Sequence, residues 1–418
     1  MEVAPSLPEQ LQSRCCIAGG GPAGIMLGFL LARAGIDVLV LEKHADFLRD
    51  FRGDTVHPST LETMHELGFL EEFLKRPHQE ISQVRARIGG EPVLLGNMSY
   101  LRTQCRFMAL MPQWDFLNFL GEQGRRYPTF HLRMQAEVTG LIEENGRIVG
   151  IRGSTPTIPL EVRADLVVGA DGRNSLVRDC AGLTMENVGA SMDALQLRLS
   201  KRADDPTLFL YTDRGKSIVT IDRGDYWHCG FVVPKGTAEQ MQARGIEDFR
   251  AAIVEIAPFL RDRVAEVRDW DDVKLLTVRA DRLRKWYRPG LLCIGDAAHA
   301  MSPVGGVGIN LAIQDAVAAA NMLAEPLRQS GVNVGHLAKI QRRRAFPTRL
   351  TQRMQGVIQK QVWRGLGNSE PTRPPWPLRL LERTTLPCRM RTRFIAVGFR
   401  PEHVKTPDVY RVQSKANS

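Results

Sequence analysis

The sequence predicts an α/β protein: a parallel sheet wound with helices around a bound nucleotide, a mixed β-sheet domain inserted into it, and a helical C-terminal extension. Three observations predict it. The first forty residues read strand, glycine-rich turn, helix, strand ("RCCIAGG", "GPAGIMLGFLLARAG", "IDVLVLEK"). Two later apolar runs, "ADLVVGADG" and Leu291–Ile294, again lead into glycine-rich turns. Between them, residues 185–280 alternate apolar and polar positions in the way of half-exposed strands. At 418 residues and 43% hydrophobic, the chain can bury two moderate cores.

The elements follow in order. After the opening unit a helical period runs through 57–75, with Leu61, Met64, Leu67 and Leu70 on one side. Shorter strands fill 79–111, with Gly89–Gly90 as a hairpin turn, and "QWDFLNFLGEQGRR" returns to helix. Asn145–Gly146 marks a second hairpin, and "ADLVVGADG" is a strand buried on both faces. "LQLRLS", "SIVTID" and "YWHCGFVVP" predict an antiparallel or mixed sheet, followed by helix in "AEQMQARGIEDFRAAIVEIAP". Residues 295–316, "GDAAHAMSPVGGVGINLAIQDA", restore the glycine-rich strand-to-helix style of the opening, so the intervening sheet reads as an insertion. The expected division gives 1–78, 106–182 and 282–332 to the nucleotide-binding domain, 79–105 and 183–281 to a substrate domain, and 333–418 to a basic helical extension.

Charge is unevenly spread. The chain carries a net +10, yet residues 336–418 alone hold 18 Lys and Arg against 4 Asp and Glu. A solvated extension packed on the body accounts for this. The tail segment "RFIAVGFRPEHV" could also cover a substrate cavity or make a peripheral contact with anionic lipid. No zinc spacing, helix-turn-helix or aromatic-basic repeat points to nucleic acid. The seven cysteines lack metal-ligand spacing, so no metal is expected, and they read as buried free thiols. No uninterrupted run of about 20 apolar residues and no basic leader before a cleavage site stand out, and the expected location is the cytoplasm. Monomer and dimer both stay open.

Gly19, Gly21 and Gly24 sit between the first strand and the first helix, the context that a G-x-G-x-x-G dinucleotide turn requires. This is a Rossmann-like unit: the first glycine permits the tight turn, the second lets backbone approach a pyrophosphate, and the third lets helix and strand pack closely. Pro22 and Ala23 open the helix, whose free N–H groups attract phosphate. Glu42 closes the second strand where a carboxylate can take ribose hydroxyls, with Lys43 beside it.

Three further blocks separate NAD from FAD. They are "FRGDTVHPSTLE" at 51–62, "GADGRNSLVR" at 169–178 and the 295–316 stretch, with Gln113 opening the helix after "LMP". With them the chain resembles the single-component (class A) FAD-dependent aromatic hydroxylases. The resemblance implies a tightly but non-covalently bound FAD. In it, Arg52 would serve the FAD phosphates or ribityl region, Gln113 would contact the FAD, and Asp171 would bond the ribityl chain or else hold Arg178. Gly295 and Asp296 would meet the ribityl hydroxyls. Pro303, Gly305 and Gly306 would lie beside the isoalloxazine as the catalytic neighbourhood, and Gly308, Ile309 and Asn310 would aim their N–H groups at its N1–O2 edge. His299 and Asp315 are expected to be structural.

The resemblance further implies that NADPH or NADH, docking transiently, reduces the FAD. O2 then forms a flavin C4a-hydroperoxide that hydroxylates or epoxidises an aromatic or lipophilic small molecule. Tyr211, Tyr226, His228 and Arg198 lie in the expected substrate sheet without a ranking among them. A flavin-dependent reductase of a prenyl or quinone-like lipid stays open as an alternative, as does a flavin-binding protein without enzymatic activity. A halogenase is disfavoured because no two Trp residues stand two positions apart, as W-x-W-x-I-P needs.

Overall fold

The computed structural model describes residues 7–48, 55–329, 331–362, 370, 372–373 and 385–411. Its first sheet runs Tyr287–Arg288, Leu291–Cys293, Pro159–Gly169, Glu9–Ala18, Val38–Leu41, Phe130–Arg133, and the inner four neighbours pair in parallel. Cys15, Cys16, Ile17 and Ala18 are fully buried because helices or further strands cover both faces. The Asn145–Gly146 hairpin, both residues at positive φ, attaches antiparallel to the Pro159–Gly169 strand.

The helices are α1 (Pro22–Arg33), α2 (Pro58–Glu66), α3 (Leu70–Phe73), α4 (Gln113–Gly124), α5 (Leu176–Cys180), α6 (Ala238–Ala243), α7 (Ile246–Ile256), α8 (Gly308–Arg328), α9 (Val334–Val362) and α10 (Thr385–Ala396). The helical period at 57–75 is thus two helices, because Gly68 turns left-handed (φ 78°) between them; Gly245 (φ 94°) divides α6 from α7 in the same way. α8 is long and apolar enough to cross a membrane, yet 83% of its most apolar stretch is buried, where small side chains let it lie against α1.

A second, seven-stranded sheet joins the 83–97 hairpin to the strands between Met192 and Leu276. Gln79–Ile81 stays outside it and pairs with Met108–Leu110. One face of this sheet, bearing Leu195, Leu197, Leu199, Ile218, Trp227 and Phe231, is sealed by α7. Tyr211 belongs to that sealed side, its ring 5.4 Å from Phe259, and burial raises its hydroxyl to about pKa 12. It therefore lies on the opposite face of the sheet from Arg198, Tyr226 and His228.

The tail returns to the body as a strap. Ala396 and Val397 pack with Met98, Leu101 and Met108, Arg33 donates to the Thr406 carbonyl, and Tyr127 donates to Asp408. Phe394 and Phe399 stack on each other at 4.7 Å and stay half-buried at the edge of this contact.

Candidate active site

The three glycines of the first turn differ in what they serve. A Cβ on Gly24 would lie 1.9 Å from the Gly19 carbonyl oxygen, and one on Gly19, already at φ 101°, would lie 2.5 Å from that of Ala170. Both are glycine because the fold leaves no room. Gly21 is the N-cap of α1 at φ −71°, a conformation any residue adopts, and its Cβ would meet nothing closer than 4.0 Å. The protein itself has no need of a glycine there. The first helical bond runs from Ile25 N–H to the Gly21 carbonyl at 2.9 Å, so the Ala23 and Gly24 N–H groups lack helical acceptors beside that open space. Glu42 braces the turn, accepting from Gly20 N–H at 2.9 Å and His44 N–H at 3.1 Å, while Lys43 is exposed.

The second turn, Gly169–Gly172, abuts the first. Asp171 accepts from Ser175 Oγ at 2.5 Å and Val177 N–H at 3.1 Å, which caps α5. Burial raises its pKa against those bonds. Arg178 instead pairs with Asp179 and donates to the Arg173 carbonyl, so an Asp171–Arg178 ion pair is not formed.

The third turn follows Leu291–Cys293, and the chain does not pass straight into helix. A 3-10 turn at Gly295–Ala297, a two-residue strand and a second 3-10 turn at Val304–Gly306 intervene before α8. Gly295 N–H donates to Asp315 Oδ2 at 3.1 Å. The same oxygen binds His299 Nε2 at 2.6 Å, and the other accepts from Arg344 Nε at 2.8 Å. Asp315 and Arg344 are fully buried, and Arg344 reaches on to Glu402 in the strap at 3.3 Å. Asp296 is one-third exposed and pairs with Arg173 at 3.1 Å, which joins the second and third turns. Such an exposed pair contributes at most about 1 kcal/mol to folding. Asp296→Ala is therefore expected to weaken FAD retention at least about ten-fold and shift apoprotein stability by less than about 1 kcal/mol, measured by FAD titration and urea unfolding; the reverse order would make Asp296 structural.

At the last turn Gly305 and Gly306 adopt φ 78° and 62°, and a Cβ on Gly306 would strike Thr55 Oγ1 at 2.8 Å. Pro303 and Gly305 are exposed. The first bond of α8 is Leu311 N–H to the Val307 carbonyl, so Gly308, Ile309 and Asn310 offer unpaired N–H groups at the positive end of a 21-residue dipole. The Asn310 side chain is a clasp: Oδ1 accepts from His57 N–H at 2.9 Å and Thr60 Oγ1 at 2.7 Å, and Nδ2 donates to the Gly306 and Thr55 carbonyls. Gly308 resembles Gly21, since its Cβ would find nothing within 3.9 Å.

Two open, glycine-fronted helix N-termini on one sheet thus fit FAD: α1 toward a pyrophosphate, α8 toward a ring that becomes anionic on reduction. Gln113 is the half-buried first residue of α4, and among the described residues no hydrogen bond ties it to these turns. Arg52 lies outside the described residues.

The face of the second sheet opposite α7 carries Gln196, Arg198, Val219, Ile221 and His228, by pairing register. A Cβ on Gly230 at its centre would meet nothing within 4 Å. Arg198 sits over the Tyr226 ring at 5.2 Å, and His228 is buried beside it. The open centre leaves space for a ligand, and the polar groups around it can orient one.

A family profile described as an FAD binding domain matches residues 12–354. The 6-methylpretetramide 4-monooxygenase of Streptomyces rimosus is 33% identical over 372 residues, covering 88% of each chain. Among solved structures, PqsL of P. aeruginosa in complex with 2-aminobenzoylacetate superposes with a TM-score of 0.73 at 23% identity, over 85% of this chain and 98% of that one. The flavin-dependent brominase Bmp2 reaches a TM-score of 0.75 at 17% identity, over 97% and 99%. At those identities the two structures share the fold alone.

Proposed function

The chain belongs to the FAD-binding family of flavin-dependent aromatic monooxygenases, and we propose that it uses NADPH or NADH and O2 to hydroxylate a small aromatic or lipophilic molecule held between the flavin turns and the open face of the second sheet. Bound FAD would supply the electron transfer and oxygen activation that no side chain can perform. The protein's share is binding, orientation and charge.

Ala23 and Gly24 N–H groups, with the room left at Gly21, would take the pyrophosphate. Glu42 would take the adenosine ribose and Asp296 the ribityl chain. The α8 N-terminus opposes negative charge on the ring without reorganising, because its N–H groups are fixed by the Asn310 clasp. Gly305 and Gly306 carry no side chains there, and the exposed Pro303 ring flanks them, so a planar ring could lie close. Arg198 and His228 would orient an oxygen substituent of the substrate, and the apolar Val219 and Ile221 would exclude water from the reacting centre.

The observation that carries this reading is similarity to a monooxygenase over 88% of both chains, an extent too great to be confined to the flavin turns. The brominase likeness is one of fold and does not choose the chemistry. FAD-loaded protein mixed with NADPH or NADH and a panel of phenols, quinones and polycyclic aromatics should oxidise the nicotinamide faster with the right aromatic, and only if O2 is present. Oxidation that proceeds without O2 while a carbon–carbon double bond is reduced would establish the reductase alternative instead.

A further inference from the structure

His57 is buried to 1% exposure at the N-cap of α2, in the segment that backs onto the Gly305–Gly306 turn. Its backbone is fixed by Asn310, and its ring is held separately. Nδ1 lies 3.0 Å from the carbonyl oxygen of Ile395, in the C-terminal helix α10. A carbonyl only accepts, so in the neutral ring Nδ1 carries the proton and Nε2 is a bare acceptor. Nε2 is buried and has no hydrogen-bond partner. The Gly305 backbone also acts on the ring and, like Ile395, favours the charged form; burial outweighs both and lowers the pKa to about 4. The neutral ring therefore keeps Nε2 buried without a partner, a costly arrangement for a polar atom.

We propose, on the strength of the FAD reading above, that His57 is a charge-balancing residue of the flavin site: as bound FAD is reduced and negative charge gathers before α8, a solvent proton moves onto His57 Nε2, and the imidazolium bridges the carbonyls of Gly305 and Ile395. The two electrons come from the nicotinamide dinucleotide, and the one new bond on the protein is Nε2–H. The ionisable side chains on the elements packed around the ring have other engagements. Glu62 accepts from Gln104 N–H, Glu66 from Val404 N–H, Arg391 donates to the Leu94 carbonyl, and Asp315 is held by His299 and Arg344. His65 and Arg393 are exposed, and Arg389 lies over Tyr100. A new negative charge on the cofactor is thus the change to which the ring would respond. Were that charge to gather within about 5 Å at an effective dielectric near 20, it would raise proton affinity roughly two- to three-hundred-fold and move the titration from about pH 4 to a little above pH 6.

The test uses the full-length, FAD-loaded chain. The slope of the flavin midpoint potential against pH counts protons taken up per two electrons. Near pH 5 the wild type should take up about 0.9 proton more than His57→Gln, a fraction that follows from titrations near pH 4 and above pH 6. Equal slopes in two loaded proteins overturn the proposal. Should His57→Gln fail to fold or load, 15N-histidine NMR of the wild type at pH 5 decides: one ring, neutral in the oxidised protein, should become an imidazolium on reduction, and no such change overturns the proposal. A chain that binds no FAD sinks the flavin reading and this proposal with it, whereas a loaded chain without the extra proton sinks this proposal alone.

Discussion

Gly21→Val is expected to give a folded protein that has lost FAD. The valine Cβ finds no protein atom closer than 4.0 Å, and φ −71° suits an L residue, so the apoprotein should unfold within about 1 kcal/mol of wild type. The branched side chain fills the space in front of Ala23 and Gly24 N–H, where the pyrophosphate has to come close. Affinity for FAD should fall by at least about a hundred-fold, since those charge-assisted bonds are lost together. Gly24→Ala, three residues on, should do the opposite. Its methyl would lie 1.9 Å from the Gly19 carbonyl oxygen, so the helix has to move off the strand, and the apoprotein itself should lose about 3 kcal/mol or more. FAD titration and urea unfolding of the two variants check both halves. A Gly21→Val protein that keeps stoichiometric FAD would remove the first turn from the site.

Arg344→Met should be among the most destabilising single changes in the chain. Arg344 is fully buried, binds Asp315 at 2.8 Å, and also donates to Glu402, to the Arg400 carbonyl and to Gln314. Methionine fills much of the volume but leaves the fully buried Asp315 carboxylate without its guanidinium partner, while Glu402 keeps Arg343. Breaking a buried pair in this way costs about 3–5 kcal/mol. Its neighbour Arg343 is partly exposed and pairs with Glu402 alone, so Arg343→Met should cost less than about 1 kcal/mol. The deficit in Arg344→Met also has a predicted pH dependence. Burial raises the pKa of Asp315, but His299 and Arg344 outweigh it and hold the carboxyl below its usual value. A lowered folded-state pKa gives stability that is fully present above the unfolded value near 4 and is lost as pH falls through the folded value. The difference between wild type and variant should hold from neutral pH down to about 4 and narrow below that. A difference that stays constant as pH falls well below that value would mean that packing, not charge, makes Arg344 important.

What could be read from residues alone divides along a physical line. The nucleotide turns were legible because glycine spacing reports local backbone demands: Gly19, Gly24, Gly305 and Gly306 are glycine for reasons within a few residues or one neighbouring strand. The hairpins at Gly89–Gly90 and Asn145–Gly146 were legible for the same reason, since positive φ at both positions selects those residue types. Contacts between distant segments left no such mark. Arg344 is one of three consecutive arginines, and nothing in "QRRRAF" says which one is buried. His57 opens a helix in a recognised block, but its pairing with Ile395 spans 338 residues. The sequence put Tyr211, Tyr226, His228 and Arg198 in one sheet without telling its faces apart, and only the strand pairing put Tyr211 on the face that α7 covers. In the tail, Ala396 and Val397 pack against Met98, Leu101 and Met108, a long-range contact that hydrophobic pattern alone does not reveal.

The central claim is that one atom of O2 enters an aromatic substrate at the flavin turns. It is tested most directly by turning over FAD-loaded protein with NADPH or NADH under 18O2, in the presence of the aromatic that most stimulates nicotinamide oxidation. Mass spectrometry of the product is predicted to show a single oxygen-18 atom, absent when label is supplied as water and absent from Gly21→Val. A product without the label, or nicotinamide oxidation that yields only hydrogen peroxide with every aromatic tried, would contradict it.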